Sequence, residues 1–229
     1  MEYIILITLV LLVASMFFYG YNRGLTRMIL SVCMSVAAFV LAFFLATPIE
    51  LFLKNNTPVY DNVNKKMEKY VDKYISEEIN DATEDVQKKS IKKLNVPSSL
   101  KKTIEKGNTK EIRDKIGAET FTEYVAKMLT DKLISCLTFI IVFVILNIGL
   151  RVVAGMINFV SYLPLIRDVN RWLGGLLGLA EGIILVWLLC VLVTACASTK
   201  MGQEILNAIS SNQVLNFIYN NNLITKFLF

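Results

Sequence analysis

The chain has 229 residues, 55% of them apolar, with a mean hydropathy of +0.53; this is too apolar for an ordinary soluble domain and points to a membrane. Its 24 Lys and Arg against 19 acidic residues give +5, a basic balance that must be located along the chain before it argues for nucleic acid. Histidine is absent, which excludes Ser/His and Cys/His nucleophile pairs, His-containing zinc sites and a His general base.

In chain order, the first two predicted elements are membrane spans. Tyr3 to Asn22 and Met28 to Ile49 carry no charge, and each is long enough to cross a hydrocarbon core of ~30 Å at ~1.5 Å per residue. The first is expected to be an uncleaved span rather than a secretory signal: it opens Met1-Glu2 without Lys or Arg, exceeds a usual signal core, and runs into a basic turn and a second span. Ala38, Ala42 and Ala46 put a small-residue strip on span two.

The segment from Pro48 to Lys132 holds 16 Lys and one Arg against 15 acids, so it has no basic stripe and nucleic acid is not an expected partner. Between Asp61 and Leu94, apolar residues from Val63, Met67, Tyr70 and Val71 to Val86 and Ile91 recur at three or four, predicting an amphipathic helix of ~50 Å if continuous. Asn95 to Ser99, Gly107-Asn108 and Gly117 punctuate the rest of the segment, and Thr120 with Glu123 has the spacing of a capping box, so a helix is expected to start there and continue into span three. The aliphatic content predicts packing of the segment on itself or on lipid headgroups rather than a large independent core. Residues 61–94 could also offer a face to envelope proteins or to a second copy of the chain.

A third apolar stretch runs from Leu133 to Ile166 with only Arg151 interrupting it, too long for one crossing. The span is placed at about 133–157, with 158–163 near the interface ahead of Pro164. The fourth, about 176–197, contains Glu181. Beyond it, Met201 to Ile209 and Gln213 to Tyr219 read as short amphipathic helices capped by Ser211-Asn212 and Asn220-Asn221-Asn222, an interfacial tail. The four cysteines, Cys33, Cys136, Cys190 and Cys196, all lie in apolar runs without C-x-x-C spacing and read as small hydrophobes.

The expected fold is therefore an all-α integral membrane protein with four transmembrane helices in two hairpins. Residues 1–53 form the first hairpin (spans about 3–21 and 28–47), 54–132 an amphipathic helical insert, 133–198 the second hairpin (spans about 133–157 and 176–197) and 199–229 the tail. Five of six arginines, Arg23, Arg27, Arg151, Arg167 and Arg171, cluster at the two short connections. The positive-inside bias makes those connections cytoplasmic, leaving both termini and the long insert extracytoplasmic. The reverse orientation would put all 17 cations of the long segment inside.

Gly20-Tyr21-Asn22-Arg23-Gly24-Leu25-Thr26-Arg27 turns sharply between spans one and two. Leu163-Pro164-Leu165-Ile166-Arg167-Asp168-Val169-Asn170-Arg171-Trp172-Leu173-Gly174-Gly175-Leu176-Leu177-Gly178-Leu179 turns between spans three and four. In order, and in their spacing from apolar runs, these resemble the two signatures of the colicin V production protein (CvpA-like) family of bacterial four-span inner-membrane proteins, over about 1–53 and 133–197. The resemblance implies a membrane protein linked to colicin production and envelope upkeep. The long insert departs from the compact members.

The residues themselves add two features. Gly174, Gly178 and Gly182 repeat every four residues on span four, letting a neighbouring backbone approach closely, either within the chain or in an oligomer. Glu181 and Arg151 lie at similar depths in spans four and three; an intramembrane carboxylate needs a partner, so they are either a structural ion pair or part of a cation or proton path. Asn22-Arg23-Gly24-Leu25 and Asn170-Arg171-Trp172-Leu173 occupy matching places in the two hairpins, a hint of a parallel repeat. No intramembrane Asp dyad exists, and Ser31, Ser35 and Ser135 read as packing residues without a positioned base, so no enzyme is expected. No cofactor or metal is called for. Two functions stand: a non-catalytic scaffold or accessory factor of envelope homeostasis and toxin production or export, and an oligomeric small channel or transporter using the glycine-rich fourth span.

Overall fold

The computed structural model describes residues 1–80, 82–156 and 167–228. The described residues form eleven α-helices, one 3-10 turn and no strand. Four helices are long and apolar enough to cross a membrane: α1 (Glu2–Arg23), α2 (Leu25–Asn56), α7 (Phe121–Met156) and α8 (Arg167–Ala195). Between α2 and α7 lie α3 (Val59–Tyr74), α4 (Glu84–Lys93), α5 (Ser98–Gly107) and α6 (Lys110–Lys115). After α8 come α9 (Lys200–Ser211), α10 (Gln213–Asn220) and α11 (Leu223–Leu228).

The chain divides into two compact units, Met1–Pro48 with Thr138–Leu189, and Ile49–Leu137 with Cys190–Phe229. In the first, the described parts of α1, α2, α7 and α8 measure roughly 33, 36, 29 and 35 Å at helical rise, the lengths a hydrocarbon core demands. Its outer surface is apolar: Ile4, Ile7 and Leu11 of α1, Phe44 of α2, Ile145 and Ile148 of α7, and Leu176 of α8 are all exposed. A soluble protein does not carry such a surface; in lipid it is the solvated face. Inside, Met28, Ala38 and Ala42 of α2 are fully buried, and Phe39 packs edge-on against Phe139 at 5.1 Å.

Helix α8 starts at Arg167, nine residues ahead of the span expected from about 176. Nothing in Asp168 to Leu173 breaks a helix, and Gly174 and Gly175, which look like a turn, are held in helix by what they touch. Pro164 and the stretch 158–163 lie outside the described residues, as does residue 157, where the third span was expected to end.

The second unit corrects two expectations. First, 61–94 is not one helix. Backbone at Ile75 leaves helical geometry (φ −127, ψ 113), and a 3-10 turn, Glu77–Ile79, intervenes before α4. The break is stabilised: the Gln87 side-chain amide donates to the carbonyls of Ile79 and Asn80, and the Asn80 side chain accepts from Thr122 N–H at the start of α7. Second, the segment, expected to pack on itself or on lipid headgroups without a large core, takes part in a substantial buried one. Met67, Val71, Ile75, Ile91, Leu94, Leu100, Ile104, Phe121 and Leu129 are at most 2% exposed, each such burial contributing ~1.5–3 kcal/mol. Length was available for a core because α7 begins at Phe121, well before the membrane stretch, with Glu123 N–H donating to Thr120 Oγ1.

The tail belongs to this same unit. Asn95 donates to Asn207, Ser98 N–H to Asn220, and Thr194 and Tyr219 share a hydroxyl hydrogen bond of 2.8 Å. Asn212 and Asn222 cap α10 and α11 by accepting backbone N–H groups. Lys54, between Glu50 (2.8 Å) and Asp131 (2.9 Å), ties α2 to α7 within this unit.

Candidate functional site

Apart from Pro164, which lies outside the described residues, the functional residues expected from sequence belong to the first unit, where they form a glycine seam, a turn contact and a polar cluster. The seam joins α1 to α8. A Cβ on Gly178 would collide with the Met16 carbonyl oxygen, one on Gly20 with the Gly174 carbonyl oxygen, and one on Gly174 would lie 2.5 Å from the Gly20 carbonyl oxygen. Gly182 faces Met16 and Val13 at ordinary to tight contact, and Gly175 faces the Phe17 ring. Backbone thus meets backbone at Gly20, Gly174 and Gly178, an approach that only glycine permits and that suits helix packing in lipid, where there is no hydrophobic drive between helices. The strip that sequence left open between internal and oligomer packing is occupied by the chain's own first helix.

At the end of the seam, Gly24 turns the chain with φ +78 and closes α1 by donating its N–H to Gly20. Asn170, 145 residues away, accepts the N–H of Leu25 at 2.9 Å and so caps α2 from α8. A Cβ on Gly24 would lie 2.6 Å from the Asn170 Nδ2. The two signature loops are therefore halves of one contact. Around it, the Arg23 guanidinium lies 4.5 Å from the Tyr19 ring centre and that of Arg171 5.2 Å from the Tyr21 ring centre, while Arg27 is exposed.

The polar cluster links α2, α7 and α8. Arg151 Nη2 is 3.5 Å from Glu181 Oε1, with Glu181 buried and the Arg151 side chain 36% exposed. The shorter bonds go elsewhere. Ser31 Oγ donates to Glu181 Oε1 at 2.8 Å, Arg151 Nε donates to Asn147 at 2.8 Å, and Ser35 Oγ accepts from both Arg151 Nη2 and Asn147 Nδ2 at 3.1 Å. Glu181 Oε2 is buried without a partner among the described residues.

This corrects the reading of Ser31 and Ser35 as packing residues. Ser31 is bonded to a carboxylate, and Ser35 to a guanidinium; only Ser135, donating to the Asp131 carbonyl, is the ordinary helix serine expected. The sequence did hold a signal, since Ser31/Ser35 and Asn147/Arg151 are both spaced i, i+4 and so lie on single helix faces. Among the described residues, no group of His, Cys, Asp or Glu could hold a metal ion.

Four long apolar helices, a glycine seam and a hydrogen-bonded polar cluster among them define a multi-pass α-helical membrane protein. Residues 116–220 match the family model described as colicin V production protein. The match takes in the second signature, the cluster residues of α7 and α8, and most of the tail. No curated protein and no solved structure matches the chain.

Proposed function

We propose that this protein is a non-catalytic scaffold or accessory factor of a bacterial inner membrane, serving envelope homeostasis and the production or export of a colicin V-type toxin. The observation that carries this reading is the mutual engagement of Ser31, Ser35, Asn147, Arg151 and Glu181. Side chains that would line a conduction path instead hold three helices to one another, while the glycines hold the fourth. The family name supports the link to toxin production. The Arg-bearing turns are cytoplasmic in this reading and the second unit extracytoplasmic. Labelling of single cysteines at Glu84 and Asn221 by an impermeant reagent in intact cells checks it, and protection until lysis reverses it. A partner protein at 61–94 would bind the charged faces of α3 and α4, because the apolar face lies in the unit's own core.

A channel or transporter is the second reading, favoured by the unpartnered Glu181 Oε2. The pure protein in liposomes loaded with pH- and cation-sensitive dyes separates the two. A scaffold leaks no faster than empty liposomes. Flux above that background, lost in a folded Glu181→Gln variant, would overturn the scaffold.

A further inference from the structure

We propose that the turn end of the first unit, where Gly24 meets Asn170, binds the phosphate of an anionic phospholipid headgroup. Arg23 and Arg171 are the chain neighbours of those two contacting residues, and Arg27 stands exposed in the first turn of α2. Three cations are thus gathered around one point by a contact between distant parts of the chain. Among the described residues none of them forms an ion pair with a carboxylate.

Their geometry leaves donors available. Arg171 and Arg23 lie over the faces of Tyr21 and Tyr19. A cation–π contact uses the flat face of the guanidinium and leaves the in-plane N–H groups at its edge, which match phosphate oxygens in pairs. Beside them Trp172 is 59% exposed, edge-on to Tyr21 at 5.7 Å and 5.9 Å from Phe17. An amphipathic aromatic held open next to arginines is the side chain that settles at the headgroup level of a bilayer. Exposed Phe18 and Leu176 continue the surface with apolar contact suited to the upper acyl chain. A free phosphate would use the arginines but neither the indole nor this apolar surface, which is why a lipid is the occupant.

The test titrates the detergent-purified full-length protein with phosphatidylglycerol, with phosphatidylcholine and with inorganic phosphate, reading the midpoint of thermal unfolding. Phosphatidylglycerol raises the midpoint saturably and the other two do not. Removing two cations as Arg23→Gln with Arg171→Gln weakens the apparent affinity about thirtyfold, from roughly fivefold per cation at an anionic surface. Lys66→Gln with Lys69→Gln, the same charge removed from exposed positions of α3, leaves it unchanged. Should the arginine pair variant fail to elute as a folded species, Arg27→Gln alone carries the test, with an expected weakening of about fivefold. Equal shifts with phosphatidylcholine, saturation by inorganic phosphate, unaltered affinity in the arginine variants, or an equal loss in the lysine control would each overturn the proposal.

Discussion

Replacing Gly178 by Ala adds one methyl group at one of the two tightest points of the α1–α8 seam. Besides colliding with the Met16 carbonyl oxygen, the new Cβ lies 3.1 Å from the Met16 carbonyl carbon and 3.3 Å from the Gly20 Cα. All three atoms are backbone, so no rotamer change relieves the overlap and α1 itself must move. Overpacking costs ~1–3 kcal/mol, and the rigidity of the obstacle places this case near 3 kcal/mol on that scale. Opposing it is the gain in helix propensity from Gly to Ala, about 1 kcal/mol. Gly149 of α7 isolates the two effects, because nothing lies within 4 Å of its added Cβ. Gly149→Ala takes the propensity gain alone, and the difference between the variants equals the packing cost. For a chain of this size that separates their unfolding midpoints by roughly 6–12 °C. Heating each variant in detergent and measuring the folded fraction by size-exclusion chromatography reads the difference directly. Equal midpoints would show that the seam is not closely packed and would refute the argument.

The polar cluster is tested by a double-mutant cycle. Glu181→Gln leaves the Arg151 guanidinium without its carboxylate, Arg151→Gln the reverse, and the double variant should recover part of the loss, with a coupling of ~0.5–3 kcal/mol; strictly additive effects would dissolve the pair. In the second unit, burial and the negative charge of Asp131 push the Tyr60 hydroxyl up to about 12. The protonated phenol is thereby favoured in the folded state, so its contribution is full below the unfolded value of about 10 and is lost as pH rises from there to about 12. Tyr60→Phe should flatten that alkaline loss of stability in a pH series of thermal midpoints, and an unchanged slope would assign the loss to another group.

The spans, the helix start at Thr120, the caps at Asn212 and Asn222 and the small-residue strip are written in short stretches of chain, because length, period and capping geometry are local properties. A run of apolar residues must find an apolar solvent whatever the rest of the chain does, and that alone determines the membrane class. What the glycines meet is not local. Gly178 could have faced a second copy, and only the folded chain puts Met16 and Gly20 against it. The same holds for Asn170, whose capped amide belongs to Leu25, and for Ser31, which reaches Glu181 across 150 residues. The insert and tail show the limit most plainly. Each has too narrow an apolar face to form a core alone, and their shared core exists because α3, α4, α5, the start of α7 and the tail helices bury those faces together. A hydrophobic pattern states how much surface must be buried; the partner that buries it is chosen by tertiary contact, where shape and hydrogen-bond complementarity decide among many faces of similar apolarity.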